Sequence, residues 1–553
     1  MRARAFLSAS LLFALLLSSL PACRRGPRTQ LEAVDTIDRR TDVPLGPPVE
    51  RDLGEIDGRK ELVVLAPYNS TTYFIHQGEP MGYEYELLRA FASERGIRLR
   101  MVVVTDRKSL FPMLNDGTGD VAAARLVPRP EDEGVVAFTS ALYHTEPALV
   151  QQEASPDAAG EGTEKVLEPG PADPLPEMDI EARLVTRPGQ LAGETVHLPE
   201  RDAYKRTLVE LSDEVSGDIQ VVEIGGKIQD ETLAQKVARG EVEFTVMQSN
   251  LADLKEAEFK NLKVRPIMGR THKVSWAVRK NAPALLGELN RFIEEKKSGS
   301  LFKALYRKYF TDRRAHVERV ASEYLTSSTG KLCQYDDLLK QYAQELGWDW
   351  RLLASQAYQE SRFKPEARSW AGATGLLQLM PRTAREFGVT NALDPEDNVR
   401  GAVKFLQWLG DFWDERIPDE GERLKFILAS YNTGAGHVED AQRLAEKYGG
   451  DPEVWEHVSY WLLQKSTQRY SSDPVVKFGF CRGIEPVNYV SNILERFDHY
   501  RQFVVARRAE TGARHEMAMT ARAGGTRPRQ RTAQVVSAPQ GAAGNSPARQ
   551  GGV

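Results

Sequence analysis

Between residues 59 and 312 the apolar positions fall in short runs separated by amphipathic stretches. Leu62-Val63-Val64-Leu65, residues 99–104, Val121-Ala122-Ala123-Ala124, Thr195-Val196-His197-Leu198, Val221-Val222-Glu223-Ile224 and Phe244-Thr245-Val246-Met247 have the length and composition of buried strands. Residues 85–95 and 285–310 repeat apolar side chains at helical spacing, and the second of these closes the unit. Strands alternating with helices predict α/β lobes. The alternation breaks at 153–181, an acidic stretch with Pro, Gly and Ala and almost no large apolar residue, predicted to be a disordered insertion because it has too little surface to bury. A polar linker follows at 313–331. From 332 to 506 the pattern is helical almost throughout, with helices expected near 335–346, 350–361, 399–412, 423–429 and 453–465, which predicts an all-α domain.

The ends carry different patterns. Arg2 and Arg4 precede an apolar run at 5–20 that closes on Leu20-Pro21-Ala22-Cys23. A basic start, a short apolar run and a small residue before the cut describe a secretory signal over 1–22. The run falls short of the about 20 apolar residues needed to span a bilayer. Leu-Pro-Ala-Cys resembles the lipobox of bacterial lipoproteins, which implies acylation of Cys23 after cleavage, with plain secretion as the alternative. Arg24 in place of Asp then favours, by the same resemblance, the outer membrane of a Gram-negative cell. Residues 23–58, rich in Arg, Pro and Asp without periodicity, are predicted to form a tether, and 507–553 a disordered basic tail. The rest of the chain is expected in the periplasm, held to the membrane by lipid.

Composition narrows the picture in three respects. A chain of 553 residues exceeds one ordinary core and implies two or three domains. Its 41% hydrophobic and 27% charged residues are those of globular protein, and a net charge of −5 gives no footprint for nucleic acid. Three cysteines and nine histidines show no metal-ligand spacing, so neither a metal nor a cofactor is expected. Cys333 and Cys481 bracket the helical domain; an oxidising compartment permits a bridge between them, and two buried thiols are the alternative.

The helical domain holds the candidate chemistry. In the segment from Asp349 to Ser361, Asp349 is a good N-cap, and Leu353, Ala357 and then Glu360 or Ser361 fall on one apolar, inward face. Pro365 ends the helix within a turn. Burial and the negative end of the helix dipole both disfavour a charged Glu360 and raise its pKa. Cleaving a glycosidic bond near neutral pH requires such a proton-bearing carboxyl. Taken alone, the same residue reads more readily as a solvated glutamate paired with Arg362 or Lys364.

Three further motifs lie downstream. Gly372-Ala373-Thr374-Gly375-Leu376-Leu377-Gln378-Leu379-Met380-Pro381 is a Gly-rich loop leading into an apolar segment with one amide. Ala429-Ser430-Tyr431-Asn432-Thr433-Gly434-Ala435-Gly436 ends a helix on Tyr-Asn and a Gly turn, and Asn488-Tyr489-Val490 opens a late helix. With Glu360-Ser361 these resemble, in order and spacing, the soluble-lytic-transglycosylase family with its goose-type-lysozyme-like fold. The resemblance implies Glu360 as catalytic acid and later base, with Ser361, Gln378, Met380, Tyr431, Asn432 and Tyr489 around the glycan strand of peptidoglycan. Asp394 and Asp397 lie near these motifs, and Glu485 just before the last of them. If none lies at the roughly 5 Å or 6.5–9.5 Å that hydrolysis requires, one glutamate serves both steps. The family product is then a 1,6-anhydromuramoyl end formed without water. A hydrolytic muramidase using Asp394 or Glu485 and an inert wall-binding receptor are the rival readings.

Gly82-Tyr83-Glu84-Tyr85-Glu86-Leu87, Gly119-Asp120-Val121-Ala122-Ala123 and Phe138-Thr139-Ser140-Ala141-Leu142-Tyr143 resemble blocks of family-3 solute-binding proteins, which implies two lobes around a small ligand such as a muropeptide. Where amino-acid-binding members commonly have Arg, this chain has Asp132, and Gln248 stands at or near a second-lobe acid. Arg125 and Arg129 are left as carboxylate clamps or surface charges. The predicted architecture is an α/β two-lobed periplasmic-binding-protein fold followed by an all-α lysozyme-like domain, a fusion that resembles the membrane-bound lytic murein transglycosylase F type.

Overall fold

The computed structural model describes residues 47–153, 184–215, 217–225, 230–266 and 270–502. The signal at 1–22, Cys23, the first part of the tether, the acidic insertion from 154 onward and the tail at 507–553 lie outside the described residues.

Two sheets form the two lobes of the N-terminal module. The first has the order Arg98–Val103, Glu61–Ala66, Val121–Leu126, His272–Arg279, Val136–Phe138. The first three strands run parallel, and His272–Arg279 joins them antiparallel. Leu62 to Ala66 is buried at every position, as expected of a parallel strand covered on both faces. The second sheet has the order Gln220–Ile224, Thr195–Pro199, Phe244–Gln248, Pro147–Gln152, Leu262–Pro266. Tyr143–Thr145 pairs with the start of His272–Arg279, so the outgoing and returning crossovers run side by side.

Two segments read as connectors are built into the fold. Residues 47–58 were expected within the tether, yet Leu53–Arg59 is helical, and the Asp52 carboxylate accepts from the Ala284 and Leu285 amides. The 313–331 linker contains the helices Arg313–Val320 and Thr326–Thr329 and buries His316 and Leu325. Both segments are fastened by polar side chains to distant backbone or aromatic rings, a contact that low apolar content conceals.

The helical domain packs Asp336–Leu346, Trp350–Ser361, Pro395–Asp414, Glu420–Thr433, Ala435–Tyr448 and Trp455–Gln464 with a last helix at 484–502. Trp413 is fully buried among them, its indole N–H donating to Ser430 Oγ at 2.9 Å. Asn488-Tyr489 lies in the second turn of the last helix rather than at its opening. Cys333 and Cys481 are both free and buried, so the bridge is absent; Cys481 Sγ instead lies 3.2 Å from Thr433 Oγ1.

The modules meet through a β-hairpin, Phe74–His76 with Glu79–Met81. Its tip, Gln77-Gly78, has positive φ at both residues (51° and 79°), the geometry of the tight hairpin turns that match strand twist. A Cβ on Gly78 would come within 2.5 Å of the Phe363 ring and 2.8 Å of Tyr358 and Tyr500, so only glycine lets the tip seat between these aromatics. Tyr500 Oη donates to the Gly78 carbonyl at 2.6 Å, and Gln77 N–H donates to Tyr324 O at 3.0 Å. The hairpin therefore backs directly onto the end of the helix that carries Glu360.

Candidate active site

Helix Trp350–Ser361 begins where expected, with the Asp349 side chain accepting from Arg351 N–H at 3.0 Å. Leu352 through Tyr358 are all buried, so the helix runs through the interior on every face and not along one stripe. Its end is made by Arg362 and Phe363, both left-handed at φ 53° and 62°, ahead of Pro365. Glu360 emerges in this last turn, half-buried.

Tyr489 Oη donates to Glu360 Oε1 at 2.5 Å. Burial pushes the Glu360 carboxyl up to about 8, with the Tyr489 hydrogen bond pulling the other way. At neutral pH the side chain is thus mostly protonated, the state a general acid requires. Among the described residues no Arg or Lys pairs with Glu360, so the solvated ion pair with Arg362 or Lys364 does not form. Nor, among these residues, does a second carboxylate act on its titration.

The carboxylates near the motifs are committed elsewhere. Asp394 caps helix Pro395–Asp414 through the Asp397 N–H at 2.8 Å. Asp397 accepts from Thr390 and Asn391 N–H groups, and Glu485 is an exposed residue paired with Arg482 at 3.4 Å.

The Gly-rich loop wraps the helix end. Ser361 Oγ lies 2.7 Å from Leu376 O, buried behind Glu360 and tying loop to helix. Asn398, fully buried, accepts from Leu377 N–H at 2.7 Å and donates to Thr374 and Ala392 carbonyls at 3.0 Å. Gln378 sits at φ 47°, held there by its own amide, which donates to Ala367 and Gly375 carbonyls at 2.9 and 2.8 Å. A non-glycine residue kept left-handed by its surroundings is strain stored beside the site. Met380 follows, 44% exposed and so able to line a cleft.

From the other side, Tyr431 ends helix Glu420–Thr433 and donates to Leu377 O at 2.7 Å, its ring tilted on Phe405 at 5.1 Å. Burial raises its hydroxyl pKa, and the nearby Glu360 raises it further. Asn432 is exposed next to it. The four motifs thus meet around Glu360: Tyr489 bonds it, Tyr431 lies close enough to feel its charge, and Ser361 ties the Gly-rich loop behind it, with Gln378 half-buried and Met380 and Asn432 exposed. Sequence reasoning did not single out Asn398 or Gln356. Gln356, an amide in an otherwise apolar helix interior, left a visible signal; Asn398 left none.

In the N-terminal module, Arg125 is neither a surface charge nor a free clamp. It is buried at φ 52°, bonded to Thr71 Oγ1 at 2.6 Å and bridged to Asp230 (3.3 Å) and Glu231 (3.5 Å) of the second lobe. Arg107 reaches Asp202 at 3.1 Å across the same space, and Arg129 grips Asp132 with two bonds of 2.6 Å. Burial alone would raise Glu231, but Lys255 and Arg125 hold it down to about 2. Gln248 donates to the Arg125 carbonyl at 2.8 Å.

Fold and site define a bimodular protein in which a binding-protein-like pair of lobes precedes a lysozyme-like helical domain whose Glu360 carboxyl burial holds protonated. The family model for bacterial extracellular solute-binding proteins, family 3, matches residues 62–312, and that for the transglycosylase SLT domain matches 337–453. Curated relatives named membrane-bound lytic murein transglycosylase F include those of Desulfosudis oleivorans, 31% identical over 81% of this chain and 92% of its own length, and Ectopseudomonas mendocina, 30% identical over 81% and 85%. One from Vibrio parahaemolyticus is 32% identical over 77% of this chain and 78% of its own. The chain belongs to the membrane-bound lytic murein transglycosylase F family.

Proposed function

We propose that this chain is a peptidoglycan lytic transglycosylase that cleaves the β-1,4 linkage between N-acetylmuramic acid and N-acetylglucosamine without water. The observation that carries the reading is the Glu360 carboxyl, pushed up to about 8 by burial, on which no second carboxylate acts among the described residues. In the first step protonated Glu360 gives its hydrogen to the bridging oxygen as the C1–O bond breaks. In the second, the carboxylate takes the hydrogen of the C6 hydroxyl of the same muramoyl residue, whose oxygen closes on C1, aided by the substrate N-acetyl group. The proton returns to Glu360, and a 1,6-anhydro end is the product.

Tyr431, Asn432, Gln378 and Met380 are assigned to holding the glycan, Tyr489 to Glu360 itself, and Ser361 to fastening the loop behind it. Hydrolysis is disfavoured by the commitments of Asp394 and Asp397 to capping and loop bonds and by the ion pair of the exposed Glu485.

Digestion of peptidoglycan in ¹⁸O-labelled water separates the two reactions. Anhydro ends free of label are expected; label in new reducing ends would establish a muramidase instead.

The lobes of the first module are assigned a small wall-derived ligand, such as a muropeptide. Asp132 and the occupied Arg125 argue against a free amino acid bound through its carboxylate. Ligand binding is expected to change the cleavage rate; equal rates with and without a panel of soluble muropeptides would leave the module without a regulatory role. The relatives' name supports membrane association. Among the described residues no helix is long and apolar enough to cross a bilayer. Acylation of Cys23, with the outer membrane as its destination, supplies the attachment in this reading.

A further inference from the structure

Gln356 lies one helical turn before Glu360, and none of it reaches solvent. Its Nε2 donates to Tyr489 Oη at 3.2 Å, while Tyr489 Oη donates to Glu360 Oε1. Its Oε1 is buried without a partner among the described residues. An unsatisfied amide oxygen costs stability where a Met or Leu of similar size would cost none, so packing does not account for the residue.

A phenol owns one hydrogen. With Gln356 donating into its oxygen, Tyr489 has that hydrogen left for Glu360 Oε1 and nowhere else. A carboxyl oxygen already accepting so short a bond is the poorer seat for the acid's own proton. The other oxygen, Oε2, has no hydrogen bond among the described residues and is not among the buried polar atoms closed off from solvent. The groups facing Glu360 are Tyr489 from the last helix and Tyr431 from helix Glu420–Thr433, both phenols whose buried hydroxyls stay neutral.

We propose that Gln356 is a positioning residue that sets the direction of the Tyr489 hydrogen and so seats the transferable proton of Glu360 on its other, solvent-reached oxygen. The inference rests on Glu360 being the acid. It gives the buried amide a part in the reaction although it touches neither substrate nor the reacting atoms.

The test is a mutant cycle in the full-length chain on soluble glycan strands, with Gln356→Met, Tyr489→Phe, the double variant and Glu360→Gln. Gln356→Met is expected to lower kcat about tenfold with KM unchanged, since one oriented hydrogen bond is lost from the reacting carboxyl. Weaker donation to Glu360 moves the alkaline limb of the pH–rate profile upward. In the Tyr489→Phe background the same substitution should add nothing, because there is no hydroxyl left to orient. Gln356→Glu, an acceptor when ionised, should be worse than Gln356→Met, and it supplies the answer if the Met variant fails to fold. Unchanged kcat and pH profile in the Gln356 variants, or an equal loss with and without the Tyr489 hydroxyl, overturns the proposal. An active Glu360→Gln would instead overturn the assignment of the acid, a separate failure.

Discussion

Glu360→Gln is expected to lower turnover of peptidoglycan by about 10³-fold while the protein becomes more stable. The amide keeps the shape and can still accept from Tyr489, but it has no proton to give and takes none back. The gain in stability follows from the same burial. The folded carboxyl titrates at about 8 against an ordinary value of 4.5, so between those pH values the native state holds a proton that the unfolded chain has released. Stability of the wild type therefore falls as pH rises from about 4.5 to 8, whereas glutamine does not titrate. The melting temperatures of the two proteins should nearly coincide at pH 4.5. By pH 8 they should diverge in favour of the variant by an amount on the order of 4 kcal/mol. Paired melting curves across this range, with activity assays on the same samples, check both halves. A wild type as stable as the variant at pH 8 would mean that Glu360 is well solvated.

Gly375→Ala should destabilise the helical domain by about 3 kcal/mol or more and remove most activity. Gly375 has φ 91°, and a Cβ there would overlap both the Ala392 carbonyl oxygen and the Asn398 amide. Asn398 cannot move aside without releasing Leu377 N–H, Thr374 O and Ala392 O together. Leu377 also supplies the carbonyl that Tyr431 holds, so the disturbance reaches Tyr431 beside Glu360. Gly372 gives the control. Its φ is 90°, but its Cβ would meet nothing nearer than Pro381 Cγ at 3.9 Å. Gly372→Ala then carries the backbone cost alone, about 1 kcal/mol, and should stay active. Denaturation midpoints and activities of the two variants, compared directly, separate steric closure from backbone preference.

How much of this was legible in the sequence differs by element. Helix Trp350–Ser361 has the bounds that its pattern indicates, because Asp349 caps it through a local bond and the chain turns left-handed before Pro365. The strand His272–Arg279 was missed. It is buried through its last six residues but includes Ser275 and Arg279, so it shows neither alternation nor an unbroken apolar run. Arg279 is tolerated there because Asp120, equally buried, lies 3.2 Å away, a pairing 159 residues distant that no local pattern reveals. The stretches 47–58 and 313–331 carry the pattern of connectors for a related reason: their anchors are carboxylates and arginines acting on distant partners.

At the site, Glu360, Tyr431 and Tyr489 could be named from motif order, and the structure brings them together. Their supporting groups could not. Asn398 and Gln356 act by orientation, and orientation depends on which backbone carbonyl or phenol faces them, a matter of tertiary packing. Ser361 illustrates the gap. Its place beside the glutamate was foreseen, but its hydroxyl points back into the loop.

The Gln77-Gly78 tip has a consequence for where this chain can be cut. A border drawn near residue 331 separates two patterns of sequence but not two surfaces. A fragment beginning there would lose the wedge that Tyr358, Phe363 and Tyr500 close upon and would bare three aromatic rings, two of them within a turn of Glu360. The enzyme half is in this respect a borrower: the piece that fills the space between these rings is folded some 280 residues earlier in the chain.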